Sequence, residues 1–276
     1  MGLFDYFKPV STMTAEDVRA FLRERDPESY NLVDVRQPWE YEEGHLPGAR
    51  LIPIAELPGR LGEIDRSKPT IAYCGAGVRS RAAASILGEA GFQKTWSMTG
   101  GIDAWNGLVA EGRYESELSY FSGASNAEEM IALSLALEAG NRILYERLSG
   151  DVGEGEAGSL FRSLGMAEKR HEETLRGLHA RIAPQAPPPA LPEGIGEEGL
   201  LEDGTPVRAG LERVRGKSMR EAMEILIAME ANAMDRYIKM GRAVEDDRCS
   251  KVFSALAEEE RSHVGRMADL LERLPR

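Results

Sequence analysis

Three short patterns in this chain put reactive side chains at spacings that chemistry can use. In AYCGAGVRSRAAA, residues 72–84, Cys74 opens a glycine-rich turn that runs into an alanine-rich helix. A cysteine so placed could bind metal, attack phosphate or carry sulfur. Metal binding fails first, because no second cysteine or histidine lies nearby at ligand spacing. Gly75 and Gly77 let the backbone curl so that successive N–H groups point inward, and a helix beginning near Ser80 adds its positive end, so an anion is wanted there. With Arg79 alongside, that anion is a thiolate or a persulfide on Cys74.

The other two patterns are EKRH, 168–171, and ERSH, 260–263. A glutamate and a histidine three residues apart project from one helix face toward one point. The surrounding sequence repeats: LEAGNRILY, 137–145, is similar to MEANAMDRY, 229–237. Glu138 and Glu230, Tyr145 and Tyr237, Glu168 and Glu260, and His171 and His263 are all separated by 92 residues. One shift across four pairs predicts two helical hairpins of common ancestry. Together Glu138, Glu168, His171, Glu230, Glu260 and His263 make the ligand set of a dinuclear carboxylate site in a helical bundle. Carboxylates with one imidazole per ion suit iron, or manganese, better than a structural zinc. Glu138 follows IALSLAL and Glu230 follows AMEILIAM, apolar runs in which an unpaired charge is costly and metal coordination removes the cost. Tyr145 and Tyr237 lie two turns beyond these glutamates on the same face, either as hydrogen-bond partners of the ligands or as core aromatics. His179 falls outside the repeat and reads as a surface residue. Met219, Met223, Met229 and Met234 read as packing, and Cys249 as an ordinary cysteine.

These residues need two kinds of scaffold. The runs 31–35, 49–54, 70–74 and 94–98 read as strands, alternating with helices over 16–25 and 80–91, which predicts a parallel α/β sheet in residues 1–113. After a linker at 114–125, residues 126–276 read as all-helical, with helices near 126–149, 157–181, 218–243 and 247–273 and capping boxes at Ser125/Glu128 and Ser218/Glu221. The segment 182–206, rich in proline and glycine, cannot continue a helix and suits a long crossover between the second and third helices of a four-helix bundle. At 276 residues and 42% hydrophobic content the chain supports two ordinary cores. Its net charge of −12 argues against nucleic acid or an anionic membrane as partner. Cys74 and Cys249 lie far apart in very different contexts, so a structural disulfide is not suggested; two cysteines cannot make a four-cysteine metal site, and no nucleotide or flavin site is read. MGLFDYFKPV carries no long apolar run or cleavage signal, and no stretch reaches 18 apolar residues, so a cytoplasmic location is expected.

The first half resembles a single-domain rhodanese over about 30–106, through LVDVRQPWEYEEGHLPGA, CGAGVRS and TGGIDAW. The resemblance implies a sulfurtransferase whose loop is Cys74, Gly75, Ala76, Gly77, Val78 and Arg79, with Ser80 behind it. Phosphatases of that fold use a loop one residue longer, so the six residues from Cys74 to Arg79 favour sulfur. It further implies that Cys74 carries sulfane sulfur from a small-molecule donor such as thiosulfate to a thiol or cyanide acceptor. Arg79, with Arg81, would position the donor, Asp34 and Arg36 would support the loop, and His45 would be structural. The second half, 126–274, resembles the rubrerythrin branch of the ferritin-like family, which implies two iron ions reacting with peroxide or oxygen, second-shell roles for Tyr145 and Tyr237, and a homodimer. The family's further carboxylate ligand is missing, since Ala233 and Asn141 stand in its place, and so is its rubredoxin module, so electrons would come from an external donor. A non-catalytic alternative joins a persulfide relay to a dimerisation or iron-sensing module.

Overall fold

The computed structural model describes residues 10–112, 127–185, 199–201 and 204–274. The chain packs into two compact units, Met1–Ser116 and Glu117–Arg276. The expected linker at 114–125, and with it the Ser125 cap, lies outside the described residues.

The first unit runs β1 (Thr12–Met13), α1 (Ala15–Arg23), β2 (Asn31–Asp34), α2 (Pro38–Glu43), β3 (Arg50–Leu51), β4 (Thr70–Tyr73), α3 (Val78–Glu89) and β5 (Thr95–Met98). The strands form one sheet in the order β1-β5-β4-β2-β3, and every pairing is parallel. Successive strand residues face opposite sides, so a parallel sheet covered on both faces needs unbroken apolar runs. Leu32 and Ile71 pack with Val18 and Tyr41 on one face. Val33, Ala72 and Cys74 pack with Ala83 and Leu87 of α3 on the other. Three elements differ from the sequence reading. β1 is a two-residue edge strand too short to give a pattern, α2 begins at Pro38 in a stretch to which the sequence reading assigns no element, and the 49–54 run pairs only at Arg50 and Leu51.

The second unit holds four long helices, α4 (Ala127–Val152), α5 (Glu156–Ile182), α7 (Met219–Ala243) and α8 (Asp247–Arg273), and a short one, α6 (Val207–Val214). α4 pairs with α5, α7 with α8, and α5 packs on α8. Ser218 caps α7 in a reciprocal box with Glu221, as its spacing predicts. α6, in a stretch to which the sequence reading assigns no element, follows the proline- and glycine-rich segment and packs on α4 and α7, with Val207 and Val214 in the core. Just before it, Leu201 is fully buried. Among the described residues no helix is long and apolar enough to cross a membrane.

The approach of this segment to α4 is close enough to require glycine. A Cβ on Gly140 would stand 1.9 Å from the Leu200 carbonyl oxygen. Overfilling of this kind costs about 1–3 kcal/mol. Gly140→Ala is expected to lower the unfolding midpoint of the helical unit in urea, read by circular dichroism at 222 nm. An unchanged midpoint would mean that this chain segment does not rest on α4 in solution.

Candidate functional site

β4 ends at Tyr73, so Cys74 stands at the carboxyl edge of the sheet, where a turn leads into α3. Gly77, at φ 92, turns the chain into the helix, which starts at Val78, two residues earlier than the sequence suggests. The Gly77 N–H donates to Cys74 Sγ at 3.1 Å, and Ser80 Oγ lies 3.7 Å from the same sulfur. Ser80 Oγ is held by Ser97 Oγ of β5 at 2.8 Å. Cys74 is 1% exposed, whereas Ala76 and Val78 stand out in solvent. The turn thus meets a buried sulfur with a backbone donor at a helix start, as an anion at that atom requires.

The loop is fixed from behind. Ile102 N–H donates to the Cys74 carbonyl at 2.8 Å and Asp103 N–H to the Gly75 carbonyl at 3.0 Å. These bonds bring Gly101 so close that a Cβ there would lie 2.0 Å from the Gly75 oxygen, at a backbone φ of +59. Asp34 and Arg36 form a buried pair at 2.7 Å, and Arg36 also donates to the Gly44 carbonyl at 2.6 Å. They tie the end of β2, beside β4, to the turn after α2. His45 is buried there, its ring stacked on Tyr41 at 3.6 Å and its Nδ1 2.9 Å from the Tyr41 carbonyl, which fits the structural role expected of it.

Arg79 makes a two-pronged pair with Glu40 of α2, both contacts at 2.7 Å. The Arg79 hydrogen bond holds the Glu40 carboxyl down at about 2. Arg81 is exposed on α3. The sequence reading missed Glu40 and Ser97, which lie 39 and 17 residues from their partners, too far for any local pattern to reveal.

In the second unit all six predicted metal-site residues converge. Glu138, Glu168, His171 and Glu260 form one group and Glu168, Glu230, Glu260 and His263 another, each with candidate ligand atoms within 4.8 Å of one another and every residue buried. Glu168 and Glu260 belong to both groups. The two imidazoles stack at 5.4 Å, and both turn Nδ1 inward. His171 Nδ1 is 3.1 Å from Glu168 and 3.3 Å from Glu260, and His263 Nδ1 is 3.3 Å and 2.9 Å from the same pair. Tyr145 donates to Glu230, and Tyr237 donates to Glu138, so each tyrosine holds the glutamate of the opposite hairpin. Of the two readings left open for them, the hydrogen-bonded one describes their contacts. The four methionines pack as expected, Met223, Met229 and Met234 buried and Met219 against the core. Cys249 is buried at the start of α8, without a glycine turn. His179 is a correction: it is buried, because it lies four residues after Leu175 and eight after His171 and so shares their inward face.

The charge balance of this cluster decides what it can hold. Burial raises the Glu138 carboxyl well above the ordinary range, with the Glu168 charge adding to it, and burial together with Glu260 pushes Glu230 up to about 7. Glu168 goes the other way: against its burial, the imidazoles of His171 and His263 pull it down to about 2. Burial opposes protonation of both imidazoles, yet the surrounding carboxylates raise both, His263 to about 12. With Glu230 near 7, and so about half protonated at neutral pH, the protons on Glu138, Glu230 and the two imidazoles supply about three to four positive charges, close to that of two divalent cations with every ligand deprotonated. Both oxygens of Glu168 and of Glu260 are buried, and each lies 2.9–3.3 Å from an imidazole Nδ1. Glu168 and Glu260 are the residues the two groups share, and hard carboxylate oxygens with imidazole nitrogen fit a pair of iron or manganese ions.

The first unit's fold and turn define a class: a parallel α/β domain that presents one cysteine sulfur to a backbone amide at a helix start. Residues 14–108 match the family model of the Rhodanese-like domain, and the chain belongs to that family. An uncharacterised Bacillus subtilis protein, YqhL, is 39% identical over 100 residues, spanning 36% of this chain and 75% of its own. The thiosulfate sulfurtransferase GlpE of Pseudoalteromonas translucida is 36% identical over 86 residues, 31% of this chain and 82% of the relative. Among solved structures, a rhodanese-like domain protein from Staphylococcus aureus aligns with a TM-score of 0.33 and 29% identity, over 35% of this chain and 92% of that one.

Because Gly101 backs the loop, Gly101→Ala is expected to destabilise the first unit by about 1–3 kcal/mol and to change the rate at which Cys74 reacts with iodoacetamide. Wild-type unfolding and labelling rates in the variant would mean that the 101–103 backbone does not hold the loop.

Proposed function

We propose that the first unit is a sulfurtransferase working through a Cys74 persulfide. The observation that carries this reading is the Gly77 N–H aimed at a buried Cys74 sulfur in a turn of six residues ending at Arg79. The Cys74 thiolate attacks the sulfane sulfur of a donor such as thiosulfate. The donor's S–S bond breaks, sulfite leaves with the electron pair, and Cys74 carries the persulfide. A thiolate or cyanide acceptor then attacks the outer sulfur, and Cys74 leaves as thiolate. The Gly77 amide steadies the negative sulfur at the start and end of the cycle, and Arg79, held by Glu40, supplies positive charge beside the incoming donor.

A second activity rests on the helical unit, read as a ferritin-like bundle holding two iron ions, with manganese as the alternative. Glu138, Glu168, His171 and Glu260 would hold one ion, and Glu168, Glu230, Glu260 and His263 the other. Tyr145 and Tyr237 fix the orientation of the two terminal glutamates. Bound iron supplies one-electron chemistry toward peroxide or oxygen, with electrons from an external donor.

Cys74→Ser is expected to abolish thiocyanate formation from thiosulfate and cyanide and to remove the sulfur adduct of about 32 Da seen by mass spectrometry in the wild type. A variant still transferring sulfur would end the persulfide reading. For the second unit, iron-loaded protein with a reductant should consume peroxide over many turnovers and Glu230→Ala should not. A metal-dependent change of oligomeric state with no turnover would replace that reading with an iron-sensing module.

A further inference from the structure

The two halves of the carboxylate cluster follow one repeat, but their surroundings break it. Every member obeys the 92-residue shift, and so do Phe161 and Phe253, which stack on Tyr145 and Tyr237 at 6.2 Å and 6.1 Å, both at 17°. The exception lies on the outer edge of the imidazoles. His171 Nε2 meets a carboxylate oxygen of Glu259 at 3.0 Å. The position that would serve His263 in the same way is residue 167, an alanine, whose side chain has no polar atom. Glu259 lies beside Glu260 on α8, with its side chain 53% exposed, so its carboxylate closes the solvent edge of His171 from across the bundle.

We infer that Glu259 makes the two metal positions unequal, so that the position formed by Glu138, Glu168, His171 and Glu260 takes up the first divalent cation. This rests on the dinuclear reading of the cluster. A carboxylate on the outer nitrogen of a ligating histidine keeps the ring proton there, turns the other nitrogen's lone pair toward the metal and makes it a stronger donor; loss of such a partner costs 10–100-fold in metal affinity. His171 has that partner and His263 faces Ala167 across the repeat, so the difference falls on one ion. Glu259 is a positioning residue: it acts on the ion through His171 and contributes no ligand. The observation that carries the inference is the Glu259 to His171 bond with alanine at its repeat counterpart.

The test uses the full chain, stripped of metal and titrated with Co2+ alone under equilibrium dialysis. Wild-type protein is expected to bind in two steps separated by about tenfold or more. Glu259→Ala should weaken the first step by about 10–100-fold and bring the two together, with Glu259→Gln recovering part of the loss by keeping an acceptor at Nε2. Because Glu259 is half-exposed, the helical signal and unfolding midpoint of Glu259→Ala should match wild type, separating an effect on the ion from damage to the fold. Two steps unaltered in Glu259→Ala would overturn the inference while leaving the dinuclear site standing. Failure of the wild type to bind Co2+ at all would remove the dinuclear reading itself.

Discussion

Four carboxylates buried together in the centre of a helical bundle are the constraint around which the second unit is built. An isolated ionised carboxylate in such a place costs far more than any single packing contact returns, so the cluster exists only with compensating positive charge. In the chain alone, protons on two carboxyls and two imidazoles supply it. Sequence, packing and charge meet here: the two E-x-x-H faces bring the imidazoles to the middle, and the apolar runs before Glu138 and Glu230 carry those carboxylates inward. Tyrosines from opposite hairpins lock the terminal pair. Glu168 and Glu260, each ion-paired with both imidazoles, are the two carboxylates common to both groups of candidate ligands.

The first unit solves a smaller version of the same problem. One sulfur atom that must pass through an anionic state is placed where a backbone amide can meet it, at the end of the second strand to bury both faces. Everything around the turn is positional: Ile102 and Asp103 bond its carbonyls, Ser97 holds Ser80, and Glu40 holds Arg79. The arginine's charge thus reaches the mouth of the loop already oriented, and its carboxylate partner becomes one of the groups a donor anion encounters.

Much of this was legible before any coordinates. The cysteine turn could be read because a helix start and two glycines leave a local signature. The six cluster residues could be read because a common spacing of 92 residues is improbable by chance and each member sits on a face set by helical periodicity. What could not be read shares one property, dependence on contacts that sequence distance hides. Glu40 and Glu259 are two acidic residues among many until the fold brings them to Arg79 and His171. His179 looked like a surface residue because it had no counterpart in the repeat, although its spacing from Leu175 placed it inward. α2 and α6 are short helices within turn-rich sequence, formed where packing outweighs local preference. β1 gains its identity only from its pairing with β5.

The central claim is that protons in the buried cluster stand in for two divalent cations. Its most direct measurement is the uptake of Fe2+ by metal-free protein in weakly buffered solution without oxygen, following bound metal and released protons together. The account predicts two ions per chain, about three to four protons released at neutral pH, and loss of both signals in a Glu168→Ala/Glu260→Ala double variant. Metal uptake without proton release, or uptake unchanged in the double variant, would place the ions elsewhere and contradict it.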